Sequence, residues 1–252
     1  MITIFIPTYN CEKTIRDCLE SAKWADRIFV VDSFSTDGTL DICREYTDWI
    51  VQHEYIHSAS QKNWGMEQIN TEWTLQLDSD EEIEPALREE IISALTQADL
   101  PDGFRIRIKN YVWGVWTKCC GLYPCAQVRL FRTQKGRWSD RQVHARLQGL
   151  ETVHELKNHI IHQDMTDLSA ELQQFSRQVV VWESNELVKQ GRHWRWRDVT
   201  IRPAIIFFIY YILKKGFREG FRGLYLSAYR AFYSFMTYAR LYEIERYTNK
   251  ES

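Results

Sequence analysis

Residues 73 to 85 read WTLQLDSDEEIEP. Asp78 and Asp80 stand one residue apart directly after an apolar run, so a turn there could aim both carboxylates at one hard cation. Mg2+ and Mn2+ take a few protein carboxylates and complete their shells with phosphate oxygens and water. A metal-bound diphosphate would also offset the mutual repulsion of Asp78, Asp80, Glu81, Glu82 and Glu84. The plainer alternative is a solvated turn whose acids cap a helix beginning near Pro85, and Glu84 is read that way. Asp32, in VVDSFSTDGT, ends a second apolar run and could accept hydrogen bonds from a base or a ribose. Asp37, beside Gly38, reads as a turn or N-cap residue. Lys62, in SQKNWG, could supply a cation to a diphosphate or simply be solvated. Neither G-x-x-x-x-G-K-[ST] nor G-x-G-x-x-G after the first strand occurs, which disfavours a Walker-type NTPase and a dinucleotide dehydrogenase.

Elements must bring these residues together. The first hundred residues alternate short β-branched or aromatic runs with helical patterns, the signature of repeated βα units and a largely parallel sheet. Strands are expected at Thr3–Pro7, Arg27–Val31, Trp49–His53 and Trp73–Leu77. Between them, Ile15, Cys18, Leu19 and Ala22 share one helical face, and Leu40, Ile42 and Cys43 lie close to another. Ligands of open α/β sheets sit beyond the carboxyl ends of the strands, so PTYN, DSFSTDG and DSDEE would gather on one edge. From about Gly103 to Gly149, alternating short runs with Gly and Pro predict a mixed or antiparallel extension that builds an acceptor pocket. Leu172, Phe175, Val179 and Trp182 recur at helical spacing, which predicts an amphipathic helix over Leu168 to Lys189.

The 252 residues suffice for one sizeable core and a smaller lobe. With 44% apolar and 26% charged residues the chain is neither a disordered tail nor a collagen-like repeat. MITIFIP carries no positive n-region or long apolar h-region, which predicts a cytosolic compartment. There the six cysteines would be small apolar core residues, a zinc site in CC-x4-C being the alternative. Net charge is only −2, yet Arg192 to Tyr242 holds ten Lys or Arg against Asp198 and Glu219. That segment therefore carries +8 and faces an anionic partner. PAIIFFIYYIL, residues 203–213, is too short to span a bilayer. With the aromatic, arginine-interrupted helix expected from Phe217 to Tyr242, it suits an anionic membrane surface, or else packing on the protein itself. The acidic remainder makes nucleic acid a poor partner.

IFIPTYNCEKTIRDCLES, VVDSFSTDGT, QKNWG and LQLDSDEEI together resemble the nucleotide-sugar half of glycosyltransferase family 2. DRQVHA and the segment from Arg202 to Glu243 are similar to its lipopolysaccharide-core glucosyltransferase branch. The resemblance implies an α/β GT-A fold, a Rossmann-like nucleotide-sugar-binding sheet with a helical C-terminal extension. It divides the chain into a catalytic domain over 1–165 (nucleotide-sugar half 1–100, acceptor half 101–165) and a helical region over 166–252. It implies inverting transfer, assisted by Mg2+ or Mn2+, from a nucleotide sugar, usually UDP-linked, to a lipid-linked glycan such as lipopolysaccharide core, on the inner face of the cell membrane. By position, Pro7, Thr8, Tyr9, Glu12 and Asp32 would hold the nucleoside and Lys62 the base or diphosphate. Asp78 and Asp80 would serve the ribose and the metal, and His162 could approach the metal or be structural. Where that branch reads V-H-E, Val143 and His144 are here followed by Ala145, which cannot take a proton. Asp140, His144 or Glu81 would then replace the missing base. The alternative is a catalytically degenerate sugar-nucleotide or glycan-binding protein of the same fold.

Overall fold

The computed structural model describes residues 1–141, 145–164, 168, 172, 175 and 179–248. They form two compact units: one from Met1–Tyr111 and Pro124–Asp164, the other from Val112–Tyr123 and the described residues beyond Asp164.

In the first unit, β1 (Ile2–Thr8), β2 (Arg27–Asp32), β3 (Ile50–Gln52) and β4 (Trp73–Gln76) pair in parallel in the order β3-β2-β1-β4. Strand periodicity sorts their side chains into two layers. Ile2, Ile4 and Ile6 of β1 join a core with Ile15, Cys18, Leu19 and Ala22, the buried face of α1 (Ile15–Ala22). Cys43 of α2 (Thr39–Arg44) and Leu87 and Ile91 of α4 (Pro85–Leu95) close the same layer. Phe5 points the other way, to Phe29, Val31, Phe131 and Met66, the last on α3 (Ser58–Met66). Helices therefore cover both faces of the sheet. On α3, Gly65 is needed because a Cβ there would meet the Phe5 ring at 2.4 Å.

The sheet then becomes mixed, as the alternating runs after Gly103 predict. β5 (Glu81–Ile83) and β6 (Gly103–Val112) precede β7 (Val115–Trp116), β8 (Cys125–Arg132), the short antiparallel pair β9 (Arg137–Trp138) and β10 (Leu147–Gln148), and β11 (Val153–His162). β8 lies antiparallel to β4 and to β6, β11 parallel to β6, and β5 antiparallel to β11. Pro85 begins α4 as expected, but Glu84 makes no capping bond. Its carboxylate instead contacts Lys109 and, at 3.5 Å, His159 Nδ1, because β6 and β11 present two basic side chains to it.

The second unit contains Val112–Tyr123, which the sequence reading assigned to the acceptor half. Its helices are Val180–Lys189, Trp196–Val199, Ile201–Phe208 running on as one π-helical turn Ile209–Leu213, and Gly220–Thr248. The helix expected over Leu168 to Lys189 is described continuously only from Val180. No helix among the described residues is long and apolar enough to cross a membrane.

Candidate active site

Pairing of β4 with β8 builds the centre of the site. Their register sets Leu75 opposite Leu130, so Gln76 and Arg129 lie side by side. The buried Arg129 guanidinium donates from Nη1 to Gln76 Oε1 and from Nη2 to Asp78 Oδ2 (3.0 Å) and Glu81 Oε1 (2.6 Å). Asp78 Oδ1 accepts from Lys62 Nζ (3.1 Å) and Gln76 Nε2 (2.8 Å). Glu81 Oε2 completes the ring by accepting the Asp78 N–H at 2.9 Å. Burial works against ionising Asp78, but Lys62 and Arg129 prevail and hold its carboxyl well below the usual carboxylate range. The protein's own cations thus offset two of the five acids, Asp78 and Glu81.

This geometry revises the candidate base at Glu81. Its side chain is 1% exposed and both oxygens are engaged, so it orients the loop and is closed to an acceptor hydroxyl. Burial pushes its carboxyl up, against the pull of Arg129.

Asp80 has a different environment, set by β5 and β11, whose register places His162 opposite Glu81. His162 Nε2 lies 3.4 Å from Asp80 Oδ2, and its Nδ1 is held by Asn110 Oδ1 at 2.9 Å. Burial opposes charging of His162, yet the contact with Asp80 and the field of Glu81 raise its imidazole to about 9. Asp80 keeps 41% of its side chain open to solvent.

The two aspartates are therefore split rather than aimed at one point, and no group of three or more His, Cys, Asp or Glu side chains among the described residues could hold a metal. Asp78 is occupied by cations. Asp80, with His162 once its imidazole has released its proton, fits a divalent ion that draws its other ligands from a diphosphate, since one or two protein ligands suffice there. The Asn110 bond to His162 is the kind of outer contact that fixes a ligating imidazole. The cysteines are free, and among the described residues no metal group surrounds Cys119, Cys120 and Cys125.

The loops after β1 and β2 form the neighbouring end of the site. Asp32 is fully buried and already satisfied: it accepts from Ser35 N (2.9 Å), Ser35 Oγ (2.5 Å) and Gln52 Nε2 (3.0 Å). It organises its loop instead of standing open. Thr8 is buried beside it, and Ser33 N donates to Thr8 O at 2.9 Å, while Pro7 is half-buried. Glu12 is spent on Gly38 N (2.9 Å), and Asp37 accepts from Thr39 N and Oγ1, a turn role as expected. Tyr9 and Phe34 remain exposed. Phe34 takes a left-handed φ of 60°, a costly conformation for an aromatic residue.

Helix α3 joins these parts. Gln61 reaches His53 Nδ1 and Ser33 Oγ, and Lys62 reaches Asp78. Asn63 exchanges two hydrogen bonds with the Trp138 backbone. His57 caps α3 by accepting the Ser60 N–H at Nδ1, and its Nε2 lies 3.9 Å from Asp140 Oδ1. Asp140 is fully exposed. His144, the third candidate base, lies outside the described residues.

Sequence reasoning did not single out Arg129, Gln76, Asn110, His57 or Asn63. Arg129 carried one available signal: a lone cation in the apolar strand segment VRLF.

The sequence model for glycosyl transferase family 2 matches residues 3–154. A lipopolysaccharide core biosynthesis glycosyltransferase, LpsC of Rhizobium meliloti, is 26% identical over 249 residues, covering 96% of this chain and 92% of that protein. An uncharacterized glycosyltransferase of Rickettsia bellii is 26% identical over 98% of this chain and 88% of its own length. Among solved structures, glucosyl-3-phosphoglycerate synthase from Mycobacterium tuberculosis, in complex with Mn2+, uridine diphosphate and phosphoglyceric acid, superposes with a TM-score of 0.52 at 16% identity. That likeness covers 76% of this chain and 79% of that one, and shows a shared GT-A-type fold.

Proposed function

Because the chain belongs to glycosyl transferase family 2, we propose that it transfers a sugar from a UDP-linked donor, with inversion, to a hydroxyl of a lipid-anchored glycan such as lipopolysaccharide core. The observation that carries this reading is the split acid loop. Asp78 is clamped by Lys62 and Arg129, while Asp80 and His162 stay open beyond the carboxyl end of β4. The lipopolysaccharide relative supports the acceptor class, and the fold shared with an enzyme crystallised with Mn2+ and uridine diphosphate supports the donor. The acceptor class would place the protein peripherally on the cytoplasmic face of the membrane.

In this reading Tyr9 and Phe34 offer aromatic faces to the base, in loops ordered by Pro7, Thr8, Glu12 and Asp32. Lys62, already 3.1 Å from Asp78, offers its ammonium to the diphosphate. Asp80 and His162 would hold Mg2+ or Mn2+, which supplies Lewis-acid stabilisation of the leaving diphosphate. Glu81 and Arg129 position the loop. The acceptor oxygen bonds to the anomeric carbon as the bond from that carbon to the diphosphate oxygen breaks, and UDP leaves with the electron pair. The acceptor's proton passes to a carboxylate, and Asp140, fully exposed and 3.9 Å from His57 Nε2, is the residue suited to take it.

The test is turnover across a panel of sugar nucleotides with Mn2+, wild type against Asp80→Asn. Turnover lost in the variant supports the transferase. Ala145, standing where the resemblance implies a Glu, favours a second reading as a catalytically degenerate binder. Tight UDP binding without turnover for any donor would establish that one.

A further inference from the structure

The helical unit carries a feature that donor chemistry does not use. Ile201–Phe208 and Gly220–Thr248 form an antiparallel hairpin, since Arg202 lies over Tyr238 (4.9 Å) and Arg230 over Tyr210 (4.6 Å). Each helix leaves an apolar stripe partly exposed at helical spacing. One holds Ile201, Ile205, Phe208 and Ile212, the other Phe221, Leu224, Phe232 and Phe235. At the turn between the helices, Leu213 is 63%, Phe217 50% and Phe221 73% exposed. Lys214, Lys215 and Arg218 are exposed among them.

Several contacts brace this tip. Lys215 turns the chain at a left-handed φ of 57°. Gly216 and Gly223 approach so closely that a Cβ on Gly223 would sit 1.8 Å from Gly216 O. Glu219 accepts the Lys118 and Cys119 N–H groups, and Cys120 N donates to Lys214 O at 3.0 Å. That last segment sets Trp113 beside Phe221 (6.2 Å between centroids) and Tyr225 (4.9 Å), and leaves Val115 exposed. Ordered structure thus holds three large apolar side chains in water, among three cations and beside an indole.

We propose that this tip, Leu213 to Phe221, is a membrane-docking wedge. Leu213, Phe217 and Phe221 enter the acyl boundary of an anionic bilayer, and Lys214, Lys215 and Arg218 engage lipid phosphates. Charge chooses the occupant. A second copy docking tip to tip would set these cations against themselves, whereas an anionic lipid surface attracts each of them. Interfacial insertion also matches apolar residues bracketed by bases and a tryptophan at the boundary. The inference specifies how the proposed lipid-anchored acceptor is approached, but its test does not depend on the donor reaction.

Full-length protein is sedimented with vesicles of phosphatidylcholine mixed with phosphatidylglycerol, and with vesicles of phosphatidylcholine alone. The wild type is expected to bind the anionic vesicles, and to bind less as salt is raised. Lys214→Ala with Lys215→Ala should weaken binding about 25-fold, at about fivefold per cation. Phe217→Asp with Phe221→Asp should abolish it. These side chains are exposed, so circular dichroism should report folded variants, and Mn–UDP binding should stay at the wild-type level in both. Equal binding to both vesicle types, no binding to either, or a dimer in vesicle-free solution that Phe221→Asp dissolves would each overturn the proposal. None of those results would bear on nucleotide binding, which the donor reading alone predicts.

Discussion

Replacing Arg129 with Met tests the electrostatic logic of the site independently of any substrate. Arg129 serves two carboxylates, Asp78 and the buried Glu81, and a neutral Gln76. Without it, Lys62 still balances Asp78, but Glu81 is left as a buried acid that has lost its ion-pair partner and keeps the field of His162. Removing one partner of a buried ion pair costs about 3–5 kcal/mol. For a chain of this length about 1 kcal/mol corresponds to roughly 2–4 °C, so Tm should fall by roughly 6–20 °C. The loss should also depend on pH. In the variant the Glu81 carboxyl, already pushed up by burial, lies above its unfolded value near about 4.3, so folding favours its protonated form. The penalty is then smallest at about pH 4, below the unfolded value, and larger at about pH 8. Adding Glu81→Gln should restore most of the stability, because it removes the stranded charge. Scanning calorimetry of the wild type, the single variant and the double variant at the two pH values reads all of this. A single variant within about 1 kcal/mol of wild type, or a deficit equal at both pH values, would refute the reasoning.

Three further outcomes are expected. Lys62→Met should weaken UDP binding about 10- to 150-fold, the equivalent of a charge-assisted hydrogen bond at about 1.5–3 kcal/mol, and unchanged affinity in calorimetric titration would remove Lys62 from the diphosphate site. Asp140→Asn should leave Tm unchanged, because the side chain is fully exposed, while kcat falls about 10²- to 10⁴-fold at constant donor KM; an unaltered kcat would place the base elsewhere. Gly65→Ala should lower stability by about 1–3 kcal/mol, since the added methyl meets Phe5 at 2.4 Å, and should weaken UDP binding as α3 moves Lys62; a variant equal to wild type in urea unfolding would mean that the helix yields without loss.

The parallel half of the sheet was legible because its strands are short apolar runs and α1 buries the four residues that share its periodic face. Helix α3 escaped notice for the opposite reason. Its buried positions include Gln61 and Gly65 alongside Ala59 and Met66, so no apolar stripe marks it. Asp78 and Asp80 were visible as a pair, but their separation into a clamped and an open carboxylate was not. That split depends on Arg129, about fifty positions away, and on His162, about eighty away, and each arrives through a strand register that local pattern does not encode. The sequence offers Asp32 as an acceptor for a base or a ribose, and the structure fills its oxygens with Ser35 and Gln52, a pairing that requires the loop to be closed. At the C-terminal end, the shortness of the apolar run at 203–213 was plain from composition. The glycine contact that braces the turn after it was not, because Gly216 and Gly223 become informative only once they touch.

The central claim is that Asp80, and not Asp78, presents the open carboxylate to a metal-bound nucleotide. Electron paramagnetic resonance of Mn2+ titrated with protein and UDP tests it without requiring turnover. The account predicts that wild-type protein with UDP quenches the free-ion signal and that Asp80→Asn leaves it standing while remaining folded. An Asp80→Asn variant that takes up Mn–UDP as the wild type does would contradict it.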